Sequence, residues 1–259
     1  MGSIIKAIQK VRAQFLSQAT SLVFLNAYFL RLRSICIPAL NCHSCPAAVF
    51  ACPIGVVVNF ASLRIFPFVA IGILGLVGII GGRLVCGWLC PFGLIQDGLH
   101  KIPTKKLSVP PKLGYAKYGV LIALVLLVPF FFPGSALVFC RLCPAGTLES
   151  SIPWRIMGVS SPFILGFSVR IAILVGVLAL VIIVSRGFCR VLCPLGAIFA
   201  LFNRFSLLRI RLTKHDCNNC GLCAKKCPVD IDPVTQMNSP ECIRCLKCTS
   251  THHLKLGAR

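Results

Sequence analysis

Acidic residues are what this chain has least of. Six Asp and Glu stand against 27 Lys and Arg in 259 residues, a formal charge of +21. Charge of either sign is also scarce, at 13% of residues, where a soluble domain carries about 25%. That scarcity excludes an ordinary soluble domain. With 57% apolar residues and a mean hydropathy of +0.88, the composition is that of a membrane protein. Absences within the apolar stretches narrow the chemistry further. No histidine lies inside them, which argues against a haem, and no charged pair sits mid-stretch, which argues against a transporter. Of the six carboxylates, only Asp97 and Glu149 flank the membrane portion, so proton-coupled chemistry has few groups to use. No cleavable leader is evident, because the basic, mildly amphipathic first 15 residues precede no small-residue cleavage pattern. The basic surplus would mean nucleic acid in a soluble protein. Here it clusters beside apolar stretches, where the positive-inside rule accounts for it, and no nucleic-acid partner is expected.

Four apolar stretches, 15–30, 66–82, 118–132 and 162–185, are candidate spans. The fold expected is mainly α: a polytopic membrane helix bundle of about four spans (residues 1–213) and a C-terminal two-cluster ferredoxin domain of the bacterial type (214–259). Basic residues precede the first span, separate the second from the third and follow the fourth. The N-terminus and the ferredoxin domain therefore belong on the cytoplasmic side of a multi-pass protein of the cytoplasmic membrane. The connections 31–65 and 133–161 belong on the other side.

The chain also repeats itself. Arg83-Leu-Val-Cys86-Gly-Trp-Leu-Cys90-Pro-Phe-Gly aligns without gaps on Arg186-Gly-Phe-Cys189-Arg-Val-Leu-Cys193-Pro-Leu-Gly. The tetrapeptide C-P-x-G recurs at Cys52–Gly55 and Cys143–Gly146, in the opposite-side connections. This alternation reads as two pseudo-symmetric halves.

Seventeen cysteines carry the chemistry. Cys217, Cys220, Cys223 and Cys227-Pro228 have the spacing of the bacterial ferredoxin run, and Cys242, Cys245 and Cys248 begin a second run with His252 in the fourth place. In two-cluster ferredoxins the fourth ligand of each run serves the other cluster. One [4Fe–4S] cluster then takes Cys227, Cys242, Cys245 and Cys248. The other takes Cys217, Cys220 and Cys223, with His252, or a three-iron cluster or solvent, at the fourth position. Zinc is the competing metal for paired CxxC motifs, and seven cysteines in these two runs favour iron–sulfur.

In C-P-x-G, proline suits the first helical position and cysteine the cap before it, so a thiolate faces the positive helix end. Two such ends meeting across a pseudo-twofold would present Cys86, Cys90, Cys189 and Cys193 to an anionic cluster; buried structural thiols are the plainer alternative. On the opposite side stand Cys36, Cys42, Cys45, Cys52, Cys140 and Cys143. Disulfides are one outcome there. The other is an outer cluster on Cys140, Cys143, Cys52 and one more, for which Cys45 is the choice. Clusters on both sides of a core about 30 Å thick would form a transverse wire.

CGWLCPFG, CRVLCPLG and the terminal ferredoxin runs resemble the NapH/NosR-type membrane polyferredoxins, from about residue 65 to the end. The resemblance implies electron transfer between a quinone pool, or a soluble donor, and a partner redox enzyme. Two features depart from that pattern: His252 replaces a cysteine, and the segment 36–52 with Cys140 and Cys143 adds thiols. The expected partners are other redox subunits of a membrane complex, a soluble electron donor or acceptor, and lipid. The expected cofactors are two [4Fe–4S] clusters in the ferredoxin domain and one or two more in the membrane domain. A quinone would bind near Asp97 and His100, three apart on one helix face. The competing readings are a quinol dehydrogenase or quinone reductase subunit, and a redox-sensing or metal-centre assembly factor.

Overall fold

Proline fixes the start of the functional helices. Each of the four C-P-x-G motifs opens a helix with cysteine at the cap and proline in its first positions, as the sequence predicts. The four caps share one extended conformation, with φ/ψ of −71/128° at Cys52, −74/116° at Cys90, −65/122° at Cys143 and −74/115° at Cys193.

The protein is described by a computed structural model over residues 2–27, 35–107, 110–158, 164–212, 220–251 and 254–258. It is mainly helical. A long N-terminal helix, α1 (Gly2–Leu25), precedes α2 (Pro53–Ser62), α3 (Phe68–Gly81), α4 (Leu84–Trp88) and α5 (Pro91–Leu99). Next come α6 (Lys112–Phe131), α7 (Ile164–Ile183), α8 (Gly187–Val191) and α9 (Pro194–Phe202). Short helical turns over 139–156 join α6 to α7. Strand β1 (Leu208–Leu212) pairs antiparallel with β2 (Leu254–Ala258), Ile210 opposite Leu256. This sheet ties the end of the chain to residues just before the expected domain boundary.

Four spans were expected. Among the described residues, two helical stretches are long and apolar enough to cross a membrane, 20 residues at Lys112–Phe131 and 18 at Gly166–Ile183. At 1.5 Å per residue these reach about 30 and 27 Å. They are also mostly unburied by the rest of the protein, with Ile122, Leu126, Val169 and Val175 exposed, as an apolar surround requires. The other two stretches fall short for separate reasons. Helix α3 has 14 residues and reaches only about 21 Å. Helix α1 has 24 residues, but it carries a polar stripe turned inward. Gln14 and Gln18 donate to the Gly87 carbonyl at 2.9 and 3.0 Å, Ser17 to Trp88 at 2.9 Å and Ser21 to Leu89 at 2.6 Å. These i, i+3, i+4, i+7 positions satisfy the carbonyls where α4 ends.

One apolar core joins the two halves. It contains Phe92 and Phe188, edge to face with centroids 5.0 Å apart, with Val125, Val181, Phe199 and six cysteines: Cys52, Cys86, Cys90, Cys143, Cys189 and Cys193. The C-terminal segment is docked on this core by buried polar side chains. Asn203 donates to the carbonyls of Ser239 (2.6 Å) and Cys242 (2.9 Å), and Arg244 donates to those of Gly81 (2.9 Å) and Asn203 (2.7 Å). Buried donors need such partners.

Candidate metal centres

The repeat positions two arginines as well as four cysteines. Arg83 donates from Nη2 to the Cys189 carbonyl at 2.8 Å, and Arg186 donates from Nη1 to the Cys86 carbonyl at 2.7 Å. Each half thus holds the other half's first cysteine. The glycine of each C-P-x-G lies in the path of the same contact. A Cβ on Gly196 would meet the Cys189 carbonyl at 2.8 Å, and one on Gly93 the Cys86 carbonyl at 3.3 Å. Arginine, cysteine and glycine in R-x-x-C-x-x-L-C-P-x-G are therefore one geometric unit.

The structure brings the four inner cysteines together. Each of the six pairs among Cys86, Cys90, Cys189 and Cys193 is near enough to interact electrostatically. Burial pushes the Cys90 thiol up to about 12, helped by Cys189 and Cys86 and opposed by the N–H groups of Gly93 and Leu40. Burial also raises Cys86 and Cys193, the latter despite the Gly196 N–H at 3.4 Å from its sulfur. Gln96, itself buried, donates to the Cys189 sulfur at 3.0 Å. A metal centre would favour the thiolate form that burial opposes at Cys86, Cys90 and Cys193.

Charge around this tetrad gives a direct test of what it holds. Arg83, Lys117 and Arg190, all buried, gather on the single carboxylate of Glu241. Buried Arg186 forms a bidentate pair with Asp97, Nε at 2.8 Å and Nη2 at 2.6 Å. These pairs set four cations against two carboxylates, a positive excess that suits an anionic centre. Buried guanidinium nitrogens at Arg83 and Arg190 lack hydrogen-bond partners, as expected where an anion belongs. The residues fit an iron–sulfur cluster.

A second tetrad forms in the C-terminal segment. Each of the six pairs among Cys227, Cys242, Cys245 and Cys248 interacts, and the four line one small apolar cavity. These are the four that the ferredoxin spacing groups together. Of the other run, Cys220 is exposed and Cys223 half-buried, while Cys217 and His252 lie outside the described residues.

Gly87 joins the inner tetrad to this one. A Cβ there would meet the Ile243 carbonyl at 2.6 Å and the Cys245 Cα at 3.7 Å. The second copy of the repeat has Arg190 at this place, so the departure from symmetry marks the face on which the ferredoxin segment docks. Trp88 fixes it further, donating from Nε1 to the Arg244 carbonyl at 3.2 Å.

The outer cysteines sort differently from the sequence expectation. Cys52, Cys140 and Cys143 line a cavity of about 60 Å³ with Cys42, and Cys45 is absent from its walls. Cys45 instead points at Asn26 Oδ1, 3.7 Å away. Residue spacing could not separate Cys42 from Cys45. The contact at Cys42 is long-range, its N–H donating to Glu149 Oε2 at 2.7 Å. Nor do the two membrane tetrads stand a bilayer apart. The Leu40 N–H faces the Cys90 thiol and the next N–H, of Asn41, faces the Cys52 thiol.

Asp97 and His100 line a cavity of about 930 Å³ together with Gln14, Phe15, Leu94 and Cys227. His100 Nδ1 lies 3.3 Å from the Val181 carbonyl.

A 4Fe-4S binding domain family model matches residues 62–110, 116–150 and 165–215. An uncharacterized protein of Methanocaldococcus jannaschii is 32% identical over 180 residues, 66% of this chain and 68% of that one. Protein NirI of Paracoccus denitrificans is 33% identical over 178 residues, and regulatory protein NosR of Stutzerimonas stutzeri 32% identical over 185. The match covers 65 and 67% of this chain but only 24% of each of those two proteins. No solved structure matches. The inner cysteine pairs and the arginines that cross between the halves fall within the matched segments, and the chain belongs to the 4Fe-4S binding domain family, among its NosR-type members.

Proposed function

We propose that this chain is a membrane-bound iron–sulfur electron-transfer subunit, relaying electrons between a cytoplasmic redox partner and the membrane. The observation that carries the reading is the contact of Gly87 with Ile243 and Cys245, which sets the inner tetrad directly against a ferredoxin-type one. When bound, [4Fe–4S] clusters supply one-electron steps at potentials tuned by hydrogen bonds and solvent access. Cys227, Cys242, Cys245 and Cys248 would hold one cluster. Cys217, Cys220 and Cys223 would hold a second, with His252 in its fourth place. Cys86, Cys90, Cys189 and Cys193 would hold a third. Exposed Cys220 sits where a soluble donor or acceptor would approach. The protein's own work is to exclude water, to hold the thiolates through backbone N–H groups at helix starts, and to balance their charge with Arg83, Arg186 and Arg190.

The bilayer arrangement belongs to the same proposal. Helices α6 and α7 would span the cytoplasmic membrane, with α1 and α3 completing a four-helix bundle against lipid or neighbouring redox subunits. Basic residues at both ends of the chain put the N-terminus and the ferredoxin segment in the cytoplasm. The test is anaerobic purification of the full chain in detergent, with iron and sulfide counted during a redox titration. Cys86→Ser and Cys245→Ser should each remove about four iron per chain. Retention of all iron in Cys86→Ser would reduce the membrane thiols to structure.

A quinol-oxidising role is favoured by one further observation, the 930 Å³ cavity. It lies in the size range of sites for organic cofactors, about 300–1,000 Å³. It is walled in part by Val11, Phe15 and Leu16 of α1, offers His100 as a proton acceptor, and reaches Cys227 of the ferredoxin-type tetrad.

A further inference from the structure

We propose that Cys42, Cys52, Cys140 and Cys143 hold an additional [4Fe–4S] cluster, with the Asn41 side chain as a donor to it, immediately beside the inner tetrad.

Each of the six pairs among these four thiols interacts, as in the ferredoxin-type tetrad. Cys36 interacts with Cys52, and Cys45 with Cys42. Three of the four sulfurs face backbone N–H groups: Cys52 those of Ile54, Gly55 and Asn41, Cys143 that of Gly146, and Cys42 that of Ser44. A Cβ on Gly146 would lie 3.5 Å from the Cys42 sulfur, and one on Gly55 would strike the His43 ring at 2.8 Å, so both glycines of the outer C-P-x-G motifs clear room for the 42–43 segment.

Independent evidence comes from Asn41. It is 2% exposed, it lines the cavity, and neither its Nδ2 nor its Oδ1 has a hydrogen-bond partner. An unsatisfied buried polar group costs on the order of 1–3 kcal/mol, and an N–H donated to a cluster sulfur would relieve it at Nδ2. Size decides the class of ligand. At about 60 Å³ the cavity is far too small for an organic cofactor. Among the described residues, no three His, Cys, Asp or Glu side chains converge tightly enough for a single ion. A zinc site, with Zn–S near 2.3 Å, would need sulfurs within about 4 Å of one another.

Leu40 and Asn41 make the site part of a chain of centres. Their consecutive amides face Cys90 and Cys52, so sulfurs of the two tetrads lie on the order of 10 Å apart. Electrons leaving the inner tetrad would then have a short next step.

The inference rests on the chain being an iron–sulfur protein, not on the direction of electron flow or on the inner tetrad. The test uses the full chain purified without oxygen. Cys42→Ser and Cys140→Ser should each lower iron by about four per chain, with Cys45→Ser and Cys36→Ser unchanged. Spin–spin broadening of the wild-type signals should lessen in Cys42→Ser. Full iron in Cys42→Ser and Cys140→Ser would overturn the proposal. Loss of iron from the unaltered ferredoxin segment would instead mark failure of the iron–sulfur reading. Should Cys42→Ser fail to fold, the wild type decides. Release of these four thiols to alkylation by an iron chelator supports the cluster, whereas release only by a disulfide reductant, or stoichiometric zinc, overturns it.

Discussion

A Cβ on Gly87 would lie 2.6 Å from the carbonyl oxygen of Ile243, closer than real Cβ contacts come, so the ferredoxin segment approaches the membrane core at a place only glycine permits. Both sides of that contact neighbour cysteines of the two tetrads, Cys86 on one and Cys242 and Cys245 on the other.

Gly87→Ala should therefore separate the two tetrads while leaving their ligands intact. Overpacking of this kind costs about 1–3 kcal/mol. We expect a lower melting temperature, slower reduction of the inner centre from the ferredoxin side and weakened magnetic coupling. Gly98→Ala, where a Cβ meets nothing within 4 Å, is the control. In helix α5 it should stabilise by about 0.5–1 kcal/mol.

Asp97 and Arg186 carry a pH signature. Burial pushes the Asp97 carboxyl up, but the hydrogen bonds and charge of Arg186 outweigh it and hold the group below 3.8. The stability this pair contributes is thus fully present above pH 4 and is lost as pH falls through the lowered value. Between pH 6 and 9 unfolding should be insensitive to this group. Asp97→Asn, leaving Arg186 buried without a counter-charge, should cost about 3–5 kcal/mol. It should also abolish that acid limb, which a melting series from pH 3 to 8 will show.

His252→Cys should lower the potential of the cluster on Cys217, Cys220 and Cys223. A thiolate adds the negative charge that imidazole lacks, and imidazole ligation raises iron–sulfur potentials by hundreds of millivolts in Rieske centres. A fall on the order of 100 mV, with the other centres unmoved, is expected in a redox titration followed by paramagnetic resonance. An unchanged potential would remove His252 from the ligand set.

Leu94→Trp should fill part of the cavity beside Asp97 and His100. Reduction of the clusters by a menaquinol analogue should slow at least tenfold, with reduction by dithionite unaffected. Equal rates with the analogue would remove the quinol-oxidising role.

Local chemistry was legible in the sequence wherever it is written in short spacing. The four cysteine caps and the grouping of Cys227 with Cys242, Cys245 and Cys248 are written in C-P-x-G and ferredoxin spacing, because proline and glycine dictate backbone geometry within a few residues; the meeting of the inner pairs, 103 residues apart, is written in the repeat. What spacing does not encode is contact over long separations. Cys42 displaces Cys45 through Glu149, which is 107 residues away. The polar stripe of α1 reads as a poor membrane span until the carbonyls of 87–89 are seen opposite it. The shortness of α3 was visible in its length; its packing on α9, with a Cβ on Gly78 falling 2.6 Å from the Phe202 ring, was not. Hydropathy measures apolarity and is blind to which apolar residues face protein.

The crossed arginines bear on how the protein is made. Arg83 needs the carbonyls of Cys189 and Pro240, and Arg186 needs Cys86 and Asp97. During synthesis the first pair of inner thiols therefore emerges more than 100 residues before its guanidinium and carbonyl partners are complete. A tetrad split across the two halves can form only once the second half has been made, so the first pair of thiols must stay reduced and unpaired until then.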